Sequence, residues 1–424
     1  MPTRLRAMLQ LAWKSLWNRR FTAGLALLSI TISVALLLGV EKVRTETRES
    51  FAQTVAGTDL IVGARAGSIQ LLLYSVFRIG DATSNVSWSS YQLISNHPMV
   101  AWSIPLSLGD SHRGYRVVGT TDDYLDRLRY GGNRALELAE GNWFDDLFDA
   151  AIGAEVARAL GYSVGDPIVL THGTASDRAP KHDDMPFTIS GILAPTGTPV
   201  DQSIHVSLDA IEAIHLGWQA GVPLRGQEVS VEAAREADLT PKAITAFLLG
   251  LQSRAAVFQV QRAVNAFPDE PLSAILPGVA LQELWGLVGI AENALLVISA
   301  FVVLAGLAGM VTMLLASLSE RRREMAILRS VGARPLHIFG LLTAESALLG
   351  TLGAAAGLAL VYLALALGAP LAQANWGIHL AVSAPSGREL ALLGMVILGS
   401  VLAGAVPAWR AYRLSLADGL TIRT

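Results

Sequence analysis

The 424-residue chain contains no cysteine, which excludes disulfides, thiol catalysis and cysteine-based zinc or iron–sulfur sites. Charge is scarce: 16% of residues are Asp, Glu, Lys or Arg, against about 25% in soluble domains. Acid is missing altogether from residues 1–40, which carry five basic groups, Arg4, Arg6, Lys14, Arg19 and Arg20. No G-x-x-x-x-G-K-[ST] run occurs, so no phosphate-cradling loop of that type is present. No Ser-His-Asp or paired-carboxylate arrangement can be placed either. With 52% hydrophobic residues and a mean hydropathy of +0.45, these gaps argue against a disordered chain, a nucleic-acid binder and an ordinary cytosolic enzyme.

What is present is unevenly spread. Residues 41–285 hold 18 basic and 29 acidic groups, net −11, whereas residues 286–424 hold nine basic and six acidic, net +3. Four runs approach or exceed the roughly 20 apolar residues a helix needs to cross a bilayer. They are residues 21–40, residues 294–318, the stretch from Glu345 to about Gly368, and residues 390–409. Five basic residues precede the first run, Arg321, Arg322, Arg323, Arg329 and Arg334 lie between the second and third, and Arg410, Arg413 and Arg423 follow the fourth. Cytoplasmic termini put all three clusters on one side, as the positive-inside rule requires. The first run is too long for a signal-peptide core and leads into Glu41-Lys42, not a small-residue cleavage site, so it reads as an uncleaved anchor.

The expected fold is a membrane protein of four transmembrane α-helices, with a large α+β extracytoplasmic domain between the first and second helix. The divisions expected are an interfacial helix (1–20), the first span and its stalk (21–50), the external domain (51–284), the second span with stalk (285–318), a cytoplasmic helix (319–335), the third span (336–368), a short external loop (369–389), the fourth span (390–409) and a tail (410–424). Within the external domain, residues 60–63, 115–119, 167–171 and 187–193 read as strands, and residues 152–160 and 241–254 as helices. The length suggests two subdomains. Residues 171–186 read as a polar surface loop.

The sharpest segment is SERRREMAILRSVGAR, residues 319–334. Glu320 and Glu324 fall one helical turn apart, as do Met325 and Leu328, with Val331 following and Gly332 as a C-terminal stop. Arg321 and Arg323 add to the charged face. Physics alone leaves two readings: a helix that docks its apolar face in a partner's groove, or a loop whose arginines merely set topology.

This segment resembles the coupling helix of the FtsX/MacB/LolC type of ABC-transporter permease, departing from it by an extra Arg and by Met-Ala where Ile-Gly is usual. LAWKSLWNRR at residues 11–20 is similar to that family's interfacial helix. IGAEVARALG at 152–161, VGD at 164–166 and FTISGIL at 187–193 are similar to its external domain, and PAWRAYR at 407–413 resembles its closing motif. Order and placement relative to the four spans make the match, which covers nearly the whole chain. The resemblance implies a permease homodimer in the bacterial inner membrane, bound to two copies of a separate cytoplasmic ATPase that holds the ATP and Mg. No cofactor is expected in this chain. A periplasmic or lipoprotein partner is compatible, and no nucleic acid is expected. The family moves lipoprotein, lipid-linked or amphiphilic cargo by mechanotransmission; the alternative is an FtsX-like transducer that regulates a periplasmic hydrolase or sensor without transport.

Glu345 matches a Glu common at this point in the family. Inside a span it is costly, and it reads as structural, paired with an arginine such as Arg410, in preference to a proton carrier. Gly350, Gly353 and Gly357 read as helix packing within the bundle. Ala300, Gly306 and Gly309 are candidates for a seam between copies, where the resemblance places the first two helices. His172, His182, Asp183 and Asp184 share the polar loop, but their spacing has no metal-site form. They read as solvated, with no metal site expected.

Overall fold

A computed structural model describes residues 2–54, 56–173, 180–219, 222–223, 229–320, 327, 329–376 and 383–413. The chain divides into two compact units: Met1–Glu46, Gly289–Pro370 and Leu380–Thr424 make one, and Thr47–Val288 with Leu371–His379 the other.

The first unit is helical. Helix α1 (Pro2–Asn18) and α2 (Arg20–Thr54) are followed, after the second unit's residues, by α3 (Pro277–Glu320), α4 (Pro335–Trp376) and α5 (Gly387–Arg413). The last four are long and apolar enough to cross a membrane. A bilayer offers backbone N–H and C=O groups no water, so an apolar run of this length must satisfy them within a helix. Ile30, Val34 and Leu38 of α2 pack with Met310 and Leu314 of α3 and Leu349 of α4 in the bundle's core. Small residues set the approach. A Cβ on Gly353 would lie 2.5 Å from Ile30 Cγ2, and one on Gly357 2.7 Å from Val34 Cβ, so only glycine lets α4 lie this close to α2. Towards residues 318–342 and 408–411 a second cluster, Leu318, Ile338, Leu342, Ala408 and Ala411, ties the ends of α3, α4 and α5 together. α4 does not stop near Gly368 but continues through Pro370 to Trp376. The Ala, Leu and Gln that follow the proline are strong helix formers and continue the helix despite the lost N–H bond and the ring's clash with the preceding turn.

The second unit is built on an 11-stranded mixed sheet. Its strands are β1 (Leu60–Ala64), β2 (Val100–His112), β3 (Tyr115–Thr120), β4 (Leu138–Gly141), β5 (Asp149–Ile152), β6 (Pro167–Ile168), β7 (Thr171–His172), β8 (Phe187–Leu193), β9 (Ser203–Ser207), β10 (Ala246–Leu251) and β11 (Leu272–Ile275). The order is β11-β1-β10-β2-β3-β9-β5-β8-β4, with β7 added on β2 and β6 on β8. In place of two separate subdomains, two ladders share the 13-residue β2. Its residues 100–106 pair with β10 and residues 107–112 with β3.

Three expectations are corrected here. Residues 241–254 are not a helix; β10 occupies their centre, against β1 and β2. Ala246 and Leu248 face one apolar cluster while Phe247 and Leu249 face another, so both faces are buried and no polar alternation marks the strand. Ile152 ends β5, and the helix starts only at Ala154. The strand expected over 167–171 is two short strands on different partners, β6 on β8 and β7 on β2.

Candidate functional site

Three places gather functional side chains, and the first is the turn between α3 and α4. Glu320 is the last residue of α3. Arg321, Arg323, Glu324, Met325 and Leu328 lie outside the described residues. Beyond them the chain is helical at Ile327, Arg329 and Ser330, with Val331 N–H donating to Ile327 O at 3.1 Å and Gly332 N–H to Arg329 O at 3.0 Å. Gly332, at φ +103°, ends the turn in a conformation that favours glycine, and Pro335 opens α4 at the position where its missing N–H costs nothing. Ile327 and Val331, one turn apart, are 54% and 83% exposed. Both side chains are large and apolar and lie on one face of the turn.

The second place is the bundle's interior. Glu345 is 1% exposed, beside the fully buried Ser346, while Arg410 points outward. A Cβ on Gly350 or Gly404 would collide with Ser400 or Ser346 respectively, so α4 and α5 touch backbone to side chain here. Gly306 sits against Ser33 of α2 in the same way, a Cβ there lying 2.8 Å from Ser33 Oγ. It is therefore already used inside the chain, which corrects its place among the seam candidates. Ala300 and Gly309 are exposed, and Gly309 lines a cavity of about 300 Å³ with Arg19, Thr22 and Met313.

At the far end of the same bundle lies a network that periodicity did not reveal. Lys42 Nζ, 3% exposed, contacts Glu46 Oε1 at 3.0 Å and Glu389 Oε1 at 3.9 Å, and donates to Ser383 Oγ at 2.5 Å. Ser383 Oγ donates in turn to Glu46 at 2.8 Å, and the Tyr362 hydroxyl donates to Ser383 O at 2.7 Å. Arg44 bridges Glu41 at 3.2 Å and Glu292 at 2.9 Å, and Arg388 Nε reaches Glu41 at 2.9 Å. Four carboxylates and three cations thus clasp α2, α3 and α5, and α4 joins them through Tyr362 on Ser383. The signal available in the sequence was the mixed-charge run from Glu41 to Glu49, which reads as a stalk when its partners, 248 and more residues away, are unknown.

The third place is in the second unit. β7 pairs antiparallel with β2 and sets His172 directly opposite Asp110. His172 Nδ1 lies 3.1 Å from Asp110 Oδ1 and 3.0 Å from His215 Nε2. His182 Nε2 and His215 Nε2 lie 3.7 and 3.6 Å from the same carboxylate oxygen. Trp218 covers the group, its ring 4.2 Å from that of His182. Burial opposes ionisation of Asp110, but the surrounding His172, His182 and His215 outweigh it and hold the carboxyl at about 2. The hydrogen bond to Asp110 raises His172, while burial above all lowers His215. The expectation of a solvated loop is corrected for His182, which is 0% exposed. Asp183 and Asp184 are exposed and outside the group. Sequence spacing could not reveal it, because Asp110 and His215 come from distant segments.

Two families match the chain: residues 23–266 that of the MacB-like periplasmic core domain, and residues 296–416 that of the FtsX-like permease C-terminal region. The chain belongs to the FtsX/MacB family of ABC permeases. Within this FtsX/MacB-type chain, nearly all of α2 and every strand of the sheet except β11 fall in the first match, and most of α3 with α4 and α5 in the second. Among curated relatives, the pyoverdine export ATP-binding/permease protein PvdT of Pseudomonas syringae pv. tomato is 25% identical over 448 residues, covering 97% of this chain and 59% of the relative. The macrolide export ATP-binding/permease protein MacB of Nitrobacter winogradskyi is 24% identical over 423 residues, covering 94% of this chain and 57% of the relative. The chain thus spans somewhat under three fifths of the length of these relatives. The crystal structure of the periplasmic region of MacB from Actinobacillus actinomycetemcomitans aligns over 55% of this chain and 97% of its own, at 10% identity and a TM-score of 0.33.

Proposed function

We propose that this permease is the membrane subunit of an ABC complex in the bacterial inner membrane. Two copies pair, both termini face the cytoplasm, and two copies of a separate ATPase supply the ATP and Mg chemistry. The observation that carries the reading is the exposed Ile327–Val331 pair on a turn terminated by Gly332. It is the kind of short apolar face that a partner's groove covers. Motion imposed there would travel along the helices. α3 has 44 residues, about 66 Å at the standard rise and about twice the bilayer's hydrocarbon thickness. The ionic clasp fixes α2 to α3 through Arg44 and Glu292, so the two would move as one lever. Few polar groups line the spans, which argues against small hydrophilic solutes. The relatives' names, pyoverdine export and macrolide export, support an exporter, and the cargo in this reading is a lipoprotein, a lipid-linked molecule or an amphiphile.

The test replaces Ile327 and Val331 by Asp in the full chain expressed with its ATPase. Loss of co-purification, or ATP turnover that no longer responds to the permease, is the expected result. Intact complex formation with unchanged turnover would remove the docking assignment.

A further inference from the structure

We propose that Asp110, His172, His182 and His215 form a binding site for one divalent transition-metal ion of the zinc class in the second unit. One oxygen and three ring nitrogens of these residues all lie within 4.8 Å of one another. A tetrahedral zinc with bonds of about 2.0–2.1 Å places its ligand atoms roughly 3.3 Å apart. Four of the six separations, 3.0, 3.1, 3.6 and 3.7 Å, bracket that edge length, and the other two are within 4.8 Å.

Hydrogen bonding explains the group poorly. His215 Nδ1 lies 2.7 Å from Ile211 O, and a carbonyl only accepts, so Nδ1 carries the proton and Nε2 presents a lone pair. Asp110 Oδ1 is an acceptor too. Both therefore converge on His172 Nδ1, which has at most one proton to offer. His182 is fully buried, and neither of its ring nitrogens has a hydrogen-bond partner among the described residues. Buried polar groups without partners are rare and costly. A cation that accepts lone pairs satisfies all four at once.

The donor set selects the ion. Imidazole nitrogens favour zinc and its neighbours, whereas calcium and magnesium require oxygen ligands. The surroundings match those of established metal sites: the Ile211 carbonyl fixes the His215 ring as an outer partner, and the Trp218 ring shields His182. Four protein ligands leave no open position, so the ion would cross-link and not catalyse. It would join β2, β7, the residue after Lys181 and the end of the short helix Leu208–Ile214.

The experiment uses the full chain, purified in detergent without a polyhistidine tag and stripped with a chelator. Zinc is titrated against a competing indicator, and cobalt(II) is added separately to read coordination geometry by visible absorption. One ion per chain, an intense tetrahedral cobalt spectrum and a raised unfolding temperature with zinc are expected. His182→Ala and His215→Ala should each weaken binding by at least about 100-fold, exceeding outer-partner losses. His97→Ala, at a histidine outside the group, should leave it unchanged. Should the alanine variants fail to fold, Asp110→Asn, which keeps the side chain's shape, carries the same expectation. Absence of stoichiometric binding to the folded chain, or undiminished affinity in the His182→Ala/His215→Ala double variant, would overturn the site.

Discussion

Replacing Lys42 by Met isolates the ionic clasp. At an effective dielectric of about 20, Coulomb attraction at 3.0 Å from Glu46 and 3.9 Å from Glu389 amounts to roughly 5 and 4 kcal/mol before desolvation. Desolvation offsets most of that in the intact cluster. Methionine fills much of the lysine's volume but leaves two buried carboxylates without their shared cation, and losses of this kind run to about 3–5 kcal/mol. Adding Glu46→Gln removes one of those charges. The double variant should therefore recover at least about 1.5 kcal/mol relative to the sum of the singles, within the usual range for directly interacting pairs. The measurement is denaturant unfolding of the full chain in micelles for all four members of the cycle. A loss below about 1 kcal/mol for Lys42→Met would place the pair with solvent-exposed ion pairs and refute the reasoning, as would strict additivity.

Three further outcomes follow from local geometry. Gly353→Leu pushes into Ile30, whose Cγ2 would lie 2.5 Å from the new Cβ, and should destabilise the bundle by about 1–3 kcal/mol or more; Gly368→Ala, with nothing within 4 Å, should change it by less than about 0.5 kcal/mol in the same unfolding assay. His205 is fully buried. Burial above all, with Arg78 nearby, pushes its pKa down to about 3, against a weaker hydrogen bond to Ala151 O. The unfolded chain takes up that proton below about 6.5 and the folded chain does not, so stability falls as pH drops from about 6.5 towards 3. Between pH 7 and 5 this single group accounts for roughly 2 kcal/mol, and His205→Gln should remove that part of the acid sensitivity. Finally, Gly332→Val should distort the turn after Val331, because φ +103° is strained for any side chain; weakened ATPase co-purification measures it.

The spans were legible because the bilayer imposes a local rule, about 20 apolar residues bounded by charge, and residues 21–40 meet it without help from any other segment. β8 was legible for a similar reason: FTISGIL alternates buried and exposed positions along one strand. β10 was not, because a strand buried on both faces loses the alternation and reads as a short helix. Helix ends moved for a subtler reason. Pro370 looks like a terminator, but the helix-forming residues after it keep α4 going to Trp376.

By itself, the sequence determined that this protein has four apolar runs with an acidic segment between the first and second, and through its motifs that it is an FtsX/MacB-type permease. Only the tertiary structure decided which charges and imidazoles meet. Lys42 reads as a stalk residue until Ser383 and Glu389 close over it. His182 reads as a solvated loop histidine until β2 brings Asp110 and the end of a helix brings His215. Local periodicity reports the face on which a residue lies, whereas a site depends on which distant faces are brought together, and that is settled by strand order and helix packing.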